Sequence, residues 1–213
     1  MSERDAHWAM ADDDLWNHCP DEDEFGHDED VPEGERDWRR PQGIFVLAPV
    51  GGPAGERIRE IQRRWDPKLA ASHSPHVTVV GSSGVGPIRA GTPLEQLRLA
   101  LEPIAREVPP IEVRFGAPTR FMQTNIVSLP LDPNGPVRLL YERLRSSGLA
   151  FMPARFAFTP HATLSYFPTI DRERERALLS LRVTEPAVLD RLELSLTDDP
   201  RPPRRLLELR LEG

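Results

Sequence analysis

Two short strings in this chain hold the side-chain types that proton transfer at a phosphate ester requires. Ser74-Pro75-His76-Val77-Thr78 lies in the first half and Thr159-Pro160-His161-Ala162-Thr163 in the second, and both read [Ser/Thr]-Pro-His-small-Thr. With 6 His and 9 Thr among 213 residues, composition alone gives about 0.25 His-x-Thr triplets, so two in matched contexts carry information that one would not. Imidazole is the side chain whose ordinary pKa lets it accept or donate a proton near neutrality. A pair can therefore divide the work, one ring taking a proton from an attacking oxygen while the other gives one to a leaving oxygen. The threonine hydroxyls can donate to non-bridging phosphate oxygens as charge builds there in the transition state. Neither string contains a carboxylate, and the set suits a phosphodiester.

For that chemistry both strings must be strands. Residues i and i+2 of a strand share a face about 6–7 Å apart, so His76 and Thr78 project together while Val77 packs behind, and His161, Thr163 and Ala162 do the same. Proline is tolerated where a strand begins. Around these two, alternating and short apolar runs predict strands over 44–48, 111–115, 120–122, 126–129, 155–158, 188–196 and 205–211, with 198–203 joining the last two as a hairpin. Helical spacing predicts a helix over 54–65, stopped by Asp66-Pro67. Thr92-Pro93-Leu94-Glu95 reads as a capping box opening a helix with Leu94, Leu97, Leu101 and Ile104 on one face. Val137, Leu140, Tyr141 and Leu144 form another stripe closed by Gly148, and Asp171 can cap a helix running to about 181. The order helix, histidine strand, helix, further strands recurs, which reads as an internal duplication. The expected fold is α+β: two pseudo-symmetric lobes, about 43–130 and about 134–213, each an antiparallel sheet with helices packed outside. The two His-x-Thr strands would line a shared central groove.

Paired His-x-Thr strands in a duplicated α+β chain resemble the 2H phosphoesterase superfamily, in particular its 2′-5′ RNA ligase and RNA 2′,3′-cyclic phosphodiesterase branch, over about 43–213. The resemblance implies His76 and His161 as catalytic residues and Thr78 and Thr163 as phosphate-binding ones. It implies opening of a 2′,3′-cyclic phosphate to a 2′-phosphate without metal or cofactor, His161 activating water and His76 protonating the departing 3′ oxygen. Ligation would use the same proton exchange with a 5′-hydroxyl RNA end as the nucleophile. The partners implied are RNA ends or a small nucleotide phosphodiester. Alternatives are the same chemistry on a small cyclic nucleotide, ADP-ribose cyclic phosphate or a 2′-5′ oligoadenylate, and a non-catalytic RNA-binding module. Many RNA-processing relatives carry a basic residue shortly after the second motif, where this chain has Ser165-Tyr166.

Candidates for the missing contacts follow from position. Arg120 or Arg155 could supply positive charge from a neighbouring strand, Ser165 falls on the pocket face by alternation, and Phe121 could stack a base. His73 reads as a loop residue at the rim, and Gly81–Gly86 as a flexible loop beside the pocket rather than a dinucleotide cradle, because Pro87 follows and a helix is delayed. Imidazoles at their ordinary values would give a bell-shaped pH profile with apparent pKa values near about 6 to 8.

Charge is unevenly placed. Residues 1–40 hold 15 acidic side chains against 4 basic ones, leaving 19 acidic and 23 basic over 41–213. The net −7 of the chain thus hides a mildly basic remainder that permits an anionic substrate. Residues 1–40 read as a disordered acidic arm that keeps the protein soluble, docks a protein partner through its aromatics, or occupies a basic groove as an autoinhibitor. His18, Cys19 and His27 within it fit no metal-finger spacing, and one cysteine forms no internal disulfide. With no run of 18 apolar residues and no signal-peptide order at the N-terminus, a cytoplasmic monomer without membrane contact is expected.

Overall fold

The computed structural model describes residues 42–122, 124–154, 156–197 and 203–213. The acidic arm over 1–40, Arg155 and most of the 198–203 connection lie outside them. Seven strands form one sheet: β1 (Gly43–Pro49), β2 (His76–Val80), β4 (Thr119–Arg120), β5 (Val127–Pro130), β6 (His161–Ser165), β8 (Arg191–Thr197) and β9 (Arg204–Arg210). Their order is β4-β5-β6-β2-β1-β8-β9, antiparallel throughout. β3 (Ile111–Val113) and β7 (Ala187–Leu189) pair separately. The helices are α1 (Gly52–Trp65), α2 (Pro67–Ser72), α3 (Leu94–Glu107), α4 (Pro136–Arg145) and α5 (Arg172–Ser180).

The mixed α+β antiparallel architecture is the one the pattern predicts, but strand pairing does not follow the two halves of the sequence. β8, from the end of the chain and itself paired with β9, pairs on β1 from its beginning, whereas β5 of the first half, carrying β4 on its other edge, pairs on β6 of the second. The cause lies in β1. It is buried at six of its seven positions, and so apolar a strand needs a neighbour on both edges. β2 covers one edge and the terminal hairpin the other, closing the chain across its own duplication.

Alternation then divides the sheet into two faces. Val46, Ala48, Val77, Val79, Ala162, Leu164, Leu129, Leu192 and Leu194 are all completely buried. Their neighbours His76, Thr78, His161 and Thr163 stand partly exposed on the other face.

Three local expectations are corrected. Asp66-Pro67 ends α1 but also starts α2, because the Asp66 carboxylate accepts from Leu69 N–H at 3.0 Å and proline suits the first helical position. No capping box forms at Thr92: α3 begins at Leu94, and the Thr92 hydroxyl donates to the Arg89 carbonyl at 2.8 Å. The helix therefore buries Leu97, Leu101 and Ala105 while Leu94 faces solvent. The strand expected over 155–158 shrinks to a single bridge between Ser83 and Phe156. That bridge ties down the glycine loop. Gly84 (φ +79°) donates from its N–H to Phe156 O at 2.8 Å, and a Cβ there would lie 2.5 Å from the Tyr141 hydroxyl.

Candidate active site

β2 and β6 touch at one bridge, Val77 opposite Ala162. Both bridge residues point into the core, so the residues on either side of them point the other way. Antiparallel register then sets His76 opposite Thr163 and Thr78 opposite His161. The four expected residues meet as two His–Thr pairs related by a local two-fold.

Each histidine is held alike. His76 Nδ1 lies 2.7 Å from the Ser74 carbonyl, and His161 Nδ1 lies 2.7 Å from the Thr159 carbonyl. A carbonyl only accepts, so Nδ1 carries the hydrogen, and in the neutral ring Nε2 keeps its lone pair for chemistry. The backbone oxygen two residues before each histidine is thus part of the site. Sequence reasoning gave that position no role; its signal is the Ser/Thr-Pro that begins both strings, since proline keeps the residue before it extended.

Burial pushes the His76 pKa down to about 4. The Ser74 carbonyl opposes the shift, and positive charge on His73 or His161 reinforces it. Burial also lowers His161, opposed by the Thr159 carbonyl. Both rings are therefore neutral in the empty groove at pH 7, and an anion between them would raise both. Neither threonine hydroxyl has a hydrogen-bond partner among the described residues, which leaves them available as donors.

The surroundings differ. The Phe121 ring packs against His161 in a T-shaped contact with centroids 5.0 Å apart, which shapes the setting of the imidazole. His73, expected at the rim, lies 5.7 Å from His76 ring to ring, and burial lowers its pKa. Arg120 is directed elsewhere: Nε donates to the Thr124 carbonyl at 2.7 Å and Nη1 pairs with Glu175 at 3.0 Å, so it brings no free charge to the groove. Ser165 is completely buried and its Oγ has no partner, which removes it from reach of a ligand in the groove. Tyr166 and Phe167, just beyond it, are exposed.

Two polar residues of the α1–α2 segment reach β6 from behind; Gln62 was not singled out from the sequence, and Asp66 only as a helix stop. Gln62 is nearly fully buried and donates from Nε2 to the Thr163 carbonyl at 2.8 Å. Asp66 is completely buried, and its Oδ2 accepts from the N–H groups of Tyr166 (2.7 Å) and Phe167 (2.9 Å). They fix the strand that carries His161 and Thr163. No local pattern announces a contact 100 residues away.

The sequence model of the 2′-5′ RNA ligase superfamily matches residues 50–200, a span that contains both histidine strands. The chain belongs to the 2′-5′ RNA ligase superfamily. Membership supports a phosphodiesterase or ligase type of activity. Three crystal structures share this superfamily chain's fold. TT0787 of Thermus thermophilus aligns at 15% identity and TM-score 0.57, over 80% of this chain and 98% of that one. Escherichia coli LigT, in its complex with 3′-AMP, aligns at 18% identity and TM-score 0.51, over 82% and 99% of the two chains. LigT in its apo form aligns at 18% and 0.50 over the same shares. No curated protein sequence matches this superfamily member. No helix among the described residues is long and apolar enough to cross a membrane.

Proposed function

We propose that the protein opens 2′,3′-cyclic phosphate ends of RNA to 2′-phosphates, with His76 and His161 sharing one proton across the reacting phosphate. The observation that carries this reading is the Val77–Ala162 register together with the matched Nδ1 bonds. On this reading two Nε2 atoms and two hydroxyls serve one phosphate. The phosphate anion supplies the charge that lets one imidazole hold a proton despite burial. Following the division the family resemblance implies, His161 Nε2 accepts a proton from water as its oxygen attacks phosphorus. His76 Nε2–H donates to the 3′ oxygen as the P–O3′ bond breaks, leaving a 2′-phosphate and a 3′-hydroxyl. Thr78 and Thr163 donate to the non-bridging oxygens, where charge grows. With a 5′-hydroxyl as nucleophile in place of water, the same exchange in the same direction breaks the P–O3′ bond and joins the ends 2′ to 5′.

The test is a short RNA ending in a 2′,3′-cyclic phosphate, incubated in EDTA with the wild type, His76→Ala or His161→Ala. The wild type is expected to yield the 2′-phosphate alone, and each variant to lose about 100- to 10,000-fold in kcat. A 3′-phosphate product, or full activity in either variant, would overturn the proposal. LigT was crystallised with 3′-AMP, so a nucleoside 2′,3′-cyclic monophosphate is the natural second substrate to compare.

A further inference from the structure

Around Ser74 and the end of β6, beside the His76 end of the paired strands, lies a basic and aromatic surface to which the two-histidine chemistry gives no task. Arg59 of α1 brings Nη2 to 3.1 Å from Ser74 Oγ, and Ser74 is the residue whose carbonyl orients His76. Asp66 clamps the backbone of Tyr166 and Phe167 to the junction of α1 and α2, and Lys68 of α2 then sets its Nζ 4.3 Å from the centre of the Phe167 ring. Tyr166 and Phe167 meet edge to face at 5.0 Å and remain 46% and 38% exposed. Glu60, close to Arg59 on α1, is taken by Arg57 at 2.6 Å, and among the described residues neither Arg59 nor Lys68 has a carboxylate partner. Arg120, by contrast, is neutralised by Glu175.

A lone exposed aromatic means little. Two adjacent ones, held by a buried carboxylate and flanked by cations without a carboxylate partner among the described residues, beside the end of a histidine strand, have the composition of a single-strand nucleic-acid platform. Tyr166 follows Thr163 by three residues, about 10 Å along an extended chain. It therefore sits beyond the reacting phosphate and not on it. We infer that this surface is the track for the polynucleotide attached to the reacting end: Arg59 and Lys68 meet backbone phosphates, and Tyr166 and Phe167 stack bases. The inference rests on the hydrolase reading and deepens it, since a small cyclic nucleotide would leave the track unused. It also supplies, from α1 and α2, the positive charge sought on Arg120.

The test uses the full-length chain and two substrates, a nucleoside 2′,3′-cyclic monophosphate and an RNA octamer with the same terminal nucleotide and cyclic phosphate. Wild type is compared with the double variant Arg59→Gln, Lys68→Gln. Wild-type kcat/KM should favour the octamer by about tenfold, and the double variant should lose that preference. Octamer affinity should lose about 1.4 from the slope of its logarithm against log salt, two phosphate contacts at about 0.7 each. Equal use of both substrates by the wild type, or a variant that keeps the preference and the slope, overturns the track. If neither substrate turns over, the hydrolase reading fails by itself. Fluorescence anisotropy with an octamer ending in a 2′-phosphate then still decides the track: binding weakened about tenfold in the variant supports it, unchanged binding overturns it. An oligoglutamate of equal charge that displaces the octamer equally well also overturns the RNA assignment. Lys68 is exposed, so Lys68→Glu alone repeats the test should the double variant misfold.

Discussion

The two histidine strands are alike at their histidine–threonine pairs and unlike around them. His76 and His161 open their strands after a proline, bond Nδ1 to the carbonyl two residues back at the same 2.7 Å, and face a threonine of the partner strand. Beyond the rings the likeness ends. His161 has a phenylalanine edge beside it, and its strand is braced from behind by Gln62 and Asp66. His76 has a second imidazole beside it and a guanidinium bonded to the residue that orients it. The matched part is the one the proposed reaction needs on both sides, since in-line attack and departure use opposite sides of one phosphorus. The flanks, which meet different parts of a substrate, were free to diverge.

The shared part predicts equal losses. Thr78→Val and Thr163→Val should each lower kcat by about 100-fold with little change in stability, because each removes one donor to the same developing charge. A loss at only one position would break the symmetry of the phosphate site and place the phosphate against one strand.

The bracing predicts a difference between the two ends. Asp66→Ala deprives three backbone N–H groups, those of Leu69, Tyr166 and Phe167, of a buried anionic acceptor. It should cost about 3 kcal/mol or more in denaturant unfolding. Phe121→Leu forgoes only an edge contact and should cost about 1 kcal/mol. Similar losses for the two would show that the carboxylate does not brace β6.

The smallest effect expected is on pH dependence. Because burial lowers both imidazoles, the form with one proton shared between them gathers below pH 6.5. Turnover by kcat/KM should rise as pH falls through 6.5 and decline as it nears 4, more acidic than the 6 to 8 expected from unperturbed rings. Stability moves with the same proton. An unfolded imidazole protonates near 6.5, whereas folded His76 resists until about 4, so its contribution is complete above about 6.5 and is lost as pH drops toward 4. His73→Ala removes a positive neighbour and should move the acid limb upward by less than about one pH unit, leaving the other limb in place. Movement of both limbs together would mean that His73 acts on the pair and not on His76.

The two histidine–threonine pairs were legible because residue type, period two and repetition are all local. The α+β class followed from the same alternation. What escaped was long-range. The register that sets Val77 against Ala162 joins residues from opposite halves, and the closing hairpin on β1 answers to an edge that no window near 191–210 reveals. Asp66 read correctly as a stop, yet its larger task is to hold Tyr166 and Phe167. Arg120 and Ser165 were reasonable by type and alternation. An ion pair with α5 and complete burial took them out of the site.

The central claim is that both imidazoles, neutral with hydrogen on Nδ1 when the groove is empty, face a single phosphate. Nitrogen-15 NMR of the histidine rings at pH 6.5, with and without a nucleoside 2′-phosphate, tests it directly. Both His76 and His161 should show the Nδ1–H tautomer without ligand, and both should shift at Nε2 when the phosphate binds, with net proton uptake by the pair. A hydrogen on Nε2 in the empty protein, or a response confined to one ring, would contradict it.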